Sequence, residues 1–237
     1  MSGHVDAEAL VARWREVREA VKQAALSAGR RPEEVRLVAV SKTHPAEAVR
    51  ILAAAGQHDF GESYVQEALA KKEELRHIGG LRWHFIGGLQ TNKAKFVAGA
   101  FGLVHSVDSL KLAQALHKRA AAEGTVQDVL VQVNLAGETQ KRGAASEAAL
   151  ALVQGVLELP ALAPKGLMIL PPWDEDPERS RPYFRGLREL RDELQERLSV
   201  ALPELSMGMT NDFVQAVEEG ATLVRVGTRI FGERPPR

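Results

Sequence analysis

Cysteine is absent from the 237-residue chain, which excludes disulfides, thiolate metal sites and cysteine nucleophiles together. Aromatic residues are scarce at 5%, with two tyrosines, so few phenols are on hand for acid–base work. Tyr64 opens a helical stretch and Tyr183 lies within a long charged one, and neither position points to such a role. Net charge is lacking too. Lysine plus arginine is 31 and aspartate plus glutamate is 31, so there is no basic excess of the kind a general nucleic-acid binder needs. No apolar run approaches the length of a membrane span. The opening MSGHVDAEAL has no basic segment leading into an apolar one, so no secretory leader is expected and a cytoplasmic location is. The 7 histidines fall in no metal-ligand spacing, and no metal site is expected.

What is present is an ordinary globular balance, 45% hydrophobic and 26% charged. Short apolar, β-branched segments alternate with helical ones throughout. VRLVAVS (35–41) precedes PAEAVRILAAAG (45–56), and HDFGE (58–62) precedes SYVQEALAKKEELRHI (63–78). WHFIG, LVHSV, DVLVQVNL, APKGLMIL, PELSMG and ATLVRVG each open a further unit, after a leading helix from about Asp6 to Ala28. Pro45 stands at a helix start, Gly56, Gly124 and Gly220 at helix ends, and Asp108 where a helix cap is expected. No linker or low-complexity segment divides the chain. The alternation predicts a parallel sheet with helices outside, best met by a single (β/α)8 TIM-type barrel domain over residues 1–237, with a doubly wound open sheet second.

In such a barrel the C-terminal ends of the strands and the loops after them form the active face. Lys42, in AVSKTHP (39–45), closes the first strand there. A lysine pushed toward neutrality by burial attacks carbonyl carbons to form a Schiff base. The last two strands are followed by LSMGMTND (205–212) and VRVGTRIFGE (224–233). These have the form of phosphate-holding loops. Gly208 and Gly227 let the backbone approach closely, Gly227 and Thr228 offer helix-opening amides, and Ser206 and Thr228 offer hydroxyls, Thr210 with less support. Arg225 alternates with Val224 and Val226, so it faces the barrel mouth if the valines face the helices. It calls for an anion or an acceptor, or else for an ion pair with Glu62 or another carboxylate. Glu62, His84, Asn134 and Met168 also fall near strand ends.

These features resemble the pyridoxal-phosphate enzymes built on the alanine-racemase barrel. More closely, the chain resembles the pyridoxal phosphate homeostasis protein family (YggS/PROSC type). The resemblance rests on AVSKTHP, FGESYVQEA (60–68), WHFIGGLQTNK (83–93), HSVDS (105–109), VLVQVNLAGETQKRG (129–143), KGLMIL (165–170) and LSMGMTNDFVQAVEEGATLVRVGTRIFG (205–232). It implies an alanine-racemase N-terminal-domain barrel, fold type III among pyridoxal-phosphate proteins. It implies an intracellular pyridoxal 5'-phosphate (PLP) carrier or regulator without established turnover, hence no catalytic residues. The cofactor would be a Schiff base on Lys42, with Arg225 at the pyridine nitrogen and Ser206, Gly208, Gly227 and Thr228 at the phosphate. Ser63, His84 and Met168 complete the expected binding set. Expected partners are PLP and PLP-dependent apo-enzymes, with no nucleic acid and no membrane, the protein itself a monomer. Two positions depart from the family: Ser63 replaces the usual asparagine of FGEN, and Gly88 the usual proline after WHFIG.

Physical chemistry points the same way. A cationic donor at the pyridine nitrogen disfavours its protonation and weakens the ring as an electron sink. Racemisation needs a second acid–base group, and the chain ends soon after strand eight, before any racemase-like β-domain. An amino-acid racemase or lyase is the alternative, followed by a cofactor-free Schiff-base barrel enzyme. Lys141, in AGETQKRGA (136–144), is expected as a transit contact for the cofactor, with Arg142 adding positive charge.

Overall fold

The structure, a computed structural model, describes residues 5–137 and 142–233. The helix α1 (Ala7–Ser27) leads into eight strands: β1 (Arg36–Val40), β2 (Asp59–Glu62), β3 (Arg82–Phe85), β4 (Leu103–Val107), β5 (Gln127–Val133), β6 (Leu162–Ile169), β7 (Glu204–Ser206) and β8 (Leu223–Val226). Between and after them run α2 (Ala46–Ala54), α3 (Val65–Glu74), α4 (Leu110–Ala122), α5 (Ser146–Leu157), α6 (Arg181–Leu198), α7 (Phe213–Glu218) and α8 (Thr228–Phe231). The strands pair in parallel in chain order and β1 closes on β8, with Val38 opposite Arg225 and Ala39 opposite Val226. The sheet is therefore the closed barrel and not the open doubly wound form.

Each strand is covered on both faces, which is why the strands read as apolar runs. On the outer face Phe60, Phe85, Val104, Val131, Val224 and Val226 join the apolar stripes of the helices in one large cluster. Inside, Val38, Leu103, Leu130, Met168 and Leu223 form a separate small one. In α1 the buried residues Leu10, Trp14, Val17, Val21 and Ala25 recur at helical spacing, and Asp6 caps the helix by accepting from the Ala9 amide at 3.0 Å. Trp14 donates at 2.8 Å to the buried Gln57, which donates in turn to the Leu37 and Asp59 carbonyls at 2.7 and 2.6 Å. At the N-terminal rim the pairs Arg36–Glu204, Arg82–Asp59 and Lys165–Asp128 ring the barrel floor.

Two local expectations are corrected. The segment after β3 is a 3-10 helix (Thr91–Phe96), its amides reaching back three residues as from Lys93 to Gln90 and Val97 to Ala94, before Gly99 turns the chain at φ +75°. The cap of α4 is Ser109, whose hydroxyl accepts from the Leu112 amide. Asp108 instead accepts from Ser109 Oγ and pairs with Arg142 at 3.7 Å. Pro45 does precede α2, and Gly56, Gly124 and Gly220 follow helices with φ of +101°, +64° and +103°.

One irregularity is demanded by packing. Val129 pairs with Pro164 but Leu130 pairs with Gly166, so Lys165 is an extra residue in β6. Gly166 then takes φ +153°, and a Cβ there would overlap the Glu204 carbonyl of β7. Gly166→Ala is expected to lower stability in urea denaturation by about 3 kcal/mol or more. Gly29→Ala, at φ +68° with open space around it, should cost only about 1 kcal/mol.

Candidate functional site

Lys42 lies two residues beyond β1, and the backbone on either side of it is held from outside the barrel. Ser41 is fully buried, and its hydroxyl donates to Glu62 Oε1 at 2.7 Å. Lys71 of α3 donates to the Ser41 carbonyl at 2.7 Å, to Glu62 Oε1 at 2.8 Å and to Glu67 Oε1 at 2.6 Å. Glu67 also accepts the Thr43 amide at 2.5 Å. Thr43 sits at φ +68°, a left-handed conformation a β-branched residue rarely adopts, and the clamp pins it there. Burial pushes the Glu62 carboxyl above its ordinary range against the pull of the Lys71 ammonium, and Glu62 Oε2 is buried without a hydrogen-bond partner among the described residues. With Ser41 turned to the helices, alternation turns Lys42 to the mouth. Half-buried there, it lines a cavity of about 620 Å³ with Ser63, Tyr64, Phe85, Gly87 and Arg142.

On the other side of β1 stands the loop after β8. A Cβ on Gly227 would lie 3.4 Å from Val40 Cβ, which sets this glycine beside the end of β1. The turn of α8 begins with Ile230 donating to the Gly227 carbonyl at 2.8 Å, so the Thr228 and Arg229 amides precede its first hydrogen bond. Gly208 has a different reason to be glycine. Its φ is +88° and a Cβ would meet Ala216 Cβ at 2.5 Å, so packing against α7 by itself requires a glycine here.

Arg225 points inward as its alternation with Val224 and Val226 requires, and it is 4% exposed. It donates from Nη1 to Ser206 Oγ at 2.5 Å and from Nη2 to the Ile169 carbonyl at 2.9 Å. Burial lowers its pKa to about 10, with Asp212 acting in the opposite sense, so it remains a cation at neutral pH. Glu62, the carboxylate considered for it, pairs with Lys71 outside the wall. Ser206 Oγ lies 2.8 Å from His105 Nδ1, His105 Nε2 lies 3.0 Å from His84 Nδ1, and His84 Nε2 lies 2.9 Å from Asp59 Oδ1. Arg82 closes the row with hydrogen bonds of 2.8 and 2.5 Å to Asp59. Burial would raise the Asp59 pKa, but the hydrogen bonds from Arg82 and His84 outweigh it and hold the carboxyl far below the usual carboxylate range.

The residues expected from sequence therefore separate into groups. Lys42 and Ser63 line the cavity, and Gly227 and Thr228 stand at the end of β8 beside β1. Arg225 and Ser206 sit in the barrel interior, where the Ser206 hydroxyl meets Arg225 and His105; Thr210 is half-buried in the loop after β7. Met168 belongs to the inner apolar cluster and His84 to the polar row, so both lie within the barrel. Lys141 falls outside the described residues. At Gly88 the room a side chain would use is taken by Arg142, whose Cδ would be 2.9 Å from a Cβ there and which donates to the Leu89 carbonyl at 3.0 Å. The sequence reading missed the Glu62–Glu67–Lys71 clamp and His105. The Glu67–Lys71 spacing of four was a signal for the first. Tyr64, whose sequence position points to no acid–base role, lines the cavity with Lys42.

Comparison with known proteins bears on the fold. Residues 5–235 match the family described as alanine racemase, N-terminal domain. A pyridoxal phosphate homeostasis protein of Aquifex aeolicus is 50% identical over 218 residues, covering 92% of this chain and 95% of its own. One from Escherichia coli is 40% identical over 221 residues, covering 92% and 94%. The structure of PipY from Synechococcus elongatus, with PLP bound, superposes with a TM-score of 0.80 at 39% identity, covering 90% of this chain and all 100% of that one. An alanine racemase of Clostridium difficile shares the fold at 14% identity, with a TM-score of 0.73 over 97% of this chain and 58% of its own.

Because the depressed Asp59 pKa contributes stability that is present above the unfolded value and lost as pH falls, Asp59→Asn should cost about 2 kcal/mol at neutral pH. The difference between parent and variant should shrink as pH drops below the ordinary carboxylate range toward the depressed value of the folded protein. Urea denaturation at neutral and acid pH checks both parts.

Proposed function

The chain belongs to the pyridoxal phosphate homeostasis protein family, on the alanine racemase N-terminal-domain fold, and from that premise we propose that it binds PLP through Lys42 and serves in PLP homeostasis as a carrier or regulator. One observation carries the reading. Lys42 is clamped at the end of β1 between a cavity on the β2–β3 side and the amide-bearing turn after β8 on the other. The group supplies one aldehyde carbon that condenses with a primary amine.

The chain's own residues fit it. Lys42 brings the amine, and the clamp from α3 limits how far its backbone can move. The Thr228 and Arg229 amides, with the hydroxyls of Thr210 and Thr228, offer donors to a phosphate. Arg225 offers its remaining N–H groups to a ring nitrogen and, staying charged, keeps a proton off it. Ser63, standing where asparagine is usual, lines the cavity beside Lys42 and supplies a shorter hydroxyl contact. Arg142 and Lys93 add positive charge at the same opening.

In this reading the chain works as one barrel domain over 1–237, as a monomer in the cytoplasm, handing PLP to apo-enzymes and lacking turnover of its own. Among the described residues no helix is long and apolar enough to cross a membrane, which fits the location. The relatives' naming and the cationic Arg225 support the non-enzymatic role. The racemase alternative draws on Tyr64, which lines the cavity and could serve as a second acid–base group.

Lys42→Ala should abolish the visible absorption band of PLP-loaded protein and the label fixed by borohydride. An unchanged band and label in that variant would refute Lys42 as the attachment point. Pyridoxal lacking the phosphate should bind at least about tenfold more weakly than PLP, the loss expected for a few charge-assisted hydrogen bonds. Titration of both compounds decides it, and equal affinities would remove the phosphate site.

A further inference from the structure

The row Asp59–His84–His105–Ser206–Arg225 crosses the barrel interior from its N-terminal rim to the mouth, and its hydrogen-bond directions can be worked out. Arg225 carries donors only, so Ser206 Oγ must accept from it. Ser206 has one hydroxyl proton left to place. If His105 Nδ1 carried a proton, Ser206 would accept twice and its own proton would need an acceptor, and no other contact of Ser206 Oγ exists among the described residues. A buried hydroxyl proton without a partner is costly. Ser206 therefore donates to His105 Nδ1. His105 then donates from Nε2 to His84 Nδ1, His84 donates from Nε2 to Asp59, and Asp59 ends the row as an ionised acceptor. Every donor and acceptor in the row is used once both rings carry a single proton.

We propose that His84 and His105 are positioning residues that, each protonated on Nε2 alone, carry a one-way hydrogen-bond chain from Ser206 to Asp59 and thereby fix the Arg225 guanidinium under the mouth. The chain's dipoles all turn their lone-pair ends toward Arg225. They offset part of its buried charge, alongside the Asp212 carboxylate, without any carboxylate hydrogen-bonded to the guanidinium among the described residues. Burial, with the Arg225 and Arg36 charges in addition and any second proton on His84 acting the same way, holds the His105 pKa well below that of a free imidazole, in keeping with a neutral ring. Asp59 and Arg82 lie at the far end, and the two imidazoles link them to Arg225. The assignment also gives the Ser206 hydroxyl a role through Arg225 instead of at the phosphate.

The tautomers can be read directly. Two-bond proton–nitrogen NMR correlation of the cofactor-free protein near neutral pH should show His84 and His105 protonated at Nε2 and bare at Nδ1. A proton on His105 Nδ1, or a doubly protonated ring at either position, overturns the proposal. The second arm rests on the PLP reading. His105→Phe should weaken PLP binding by about tenfold, yet leave unchanged the affinity for a PLP analogue in which C–H replaces the ring nitrogen. Equal losses for both compounds would mean that His105 only props up the wall. Ser206→Ala should show the same selective loss and Ser206→Thr, which keeps the hydroxyl, should restore PLP binding; this pair serves if His105→Phe does not fold. Should the parent protein bind neither compound, the PLP reading fails while the tautomer result still decides the hydrogen-bond chain.

Discussion

The pairing of β1 with β8 is the constraint on which the rest of the site depends. Parallel hydrogen bonding of Arg36–Ala39 against Leu223–Val226 closes the sheet and brings the two ends of the sequence side by side. Lys42 then follows from one strand and Gly227 with Thr228 from its neighbour, so an amine and a set of helix-opening amides share one edge of the mouth. Because each hydrogen-bonded strand fixes which residues face inward, the same closure turns Arg225 into the barrel and its flanking valines out. A shift of one residue in this register would put the guanidinium among the helices and a valine at the mouth.

A second element of support comes from outside the sheet. Lys71 and Glu67 of α3 hold the carbonyl before Lys42 and the amide after it, and Glu62 ties the pair to β2. Three charges packed behind the wall are a poor source of stability, since their desolvation offsets most of their attraction. Their effect is geometric: they hold Thr43 in a left-handed turn and so set the direction in which Lys42 leaves the strand. A reactive side chain on an unsupported loop would lose that direction.

The barrel and much of the mouth were legible in the sequence because they rest on short-range regularities. Alternating strand and helix segments gave the fold, period-two spacing gave the orientation of Arg225, and the strand-ending position gave Lys42. Features resting on side-chain contacts between separate elements were not legible. His84 and His105 belong to neighbouring strands, and the β3–β4 register, which sets His84 opposite Leu103, brings their rings together. Lys71 reads in sequence as one more surface lysine on a charged helix, although it is 6% exposed. Gly208 reads in sequence as a ligand-facing glycine, and nothing in the sequence shows the close packing of a neighbouring helix six residues long that also requires it. Asp108 lost the α4 cap to the adjacent Ser109, a one-residue difference that composition alone does not decide.

The two apolar clusters differ greatly in extent. The outer one takes in nearly every helix, while the inner one comprises Val38, Leu103, Leu130, Met168 and Leu223. Most of the area removed from water thus lies between sheet and helices, and the hydrophobic contribution to stability lies there too. The space within the strands is freed from serving as the main adhesive and can be furnished with imidazole, hydroxyl and guanidinium. In barrels of this kind the lumen can change its chemistry over evolutionary time while the shell keeps its shape, much as fittings can be replaced inside a standing cask.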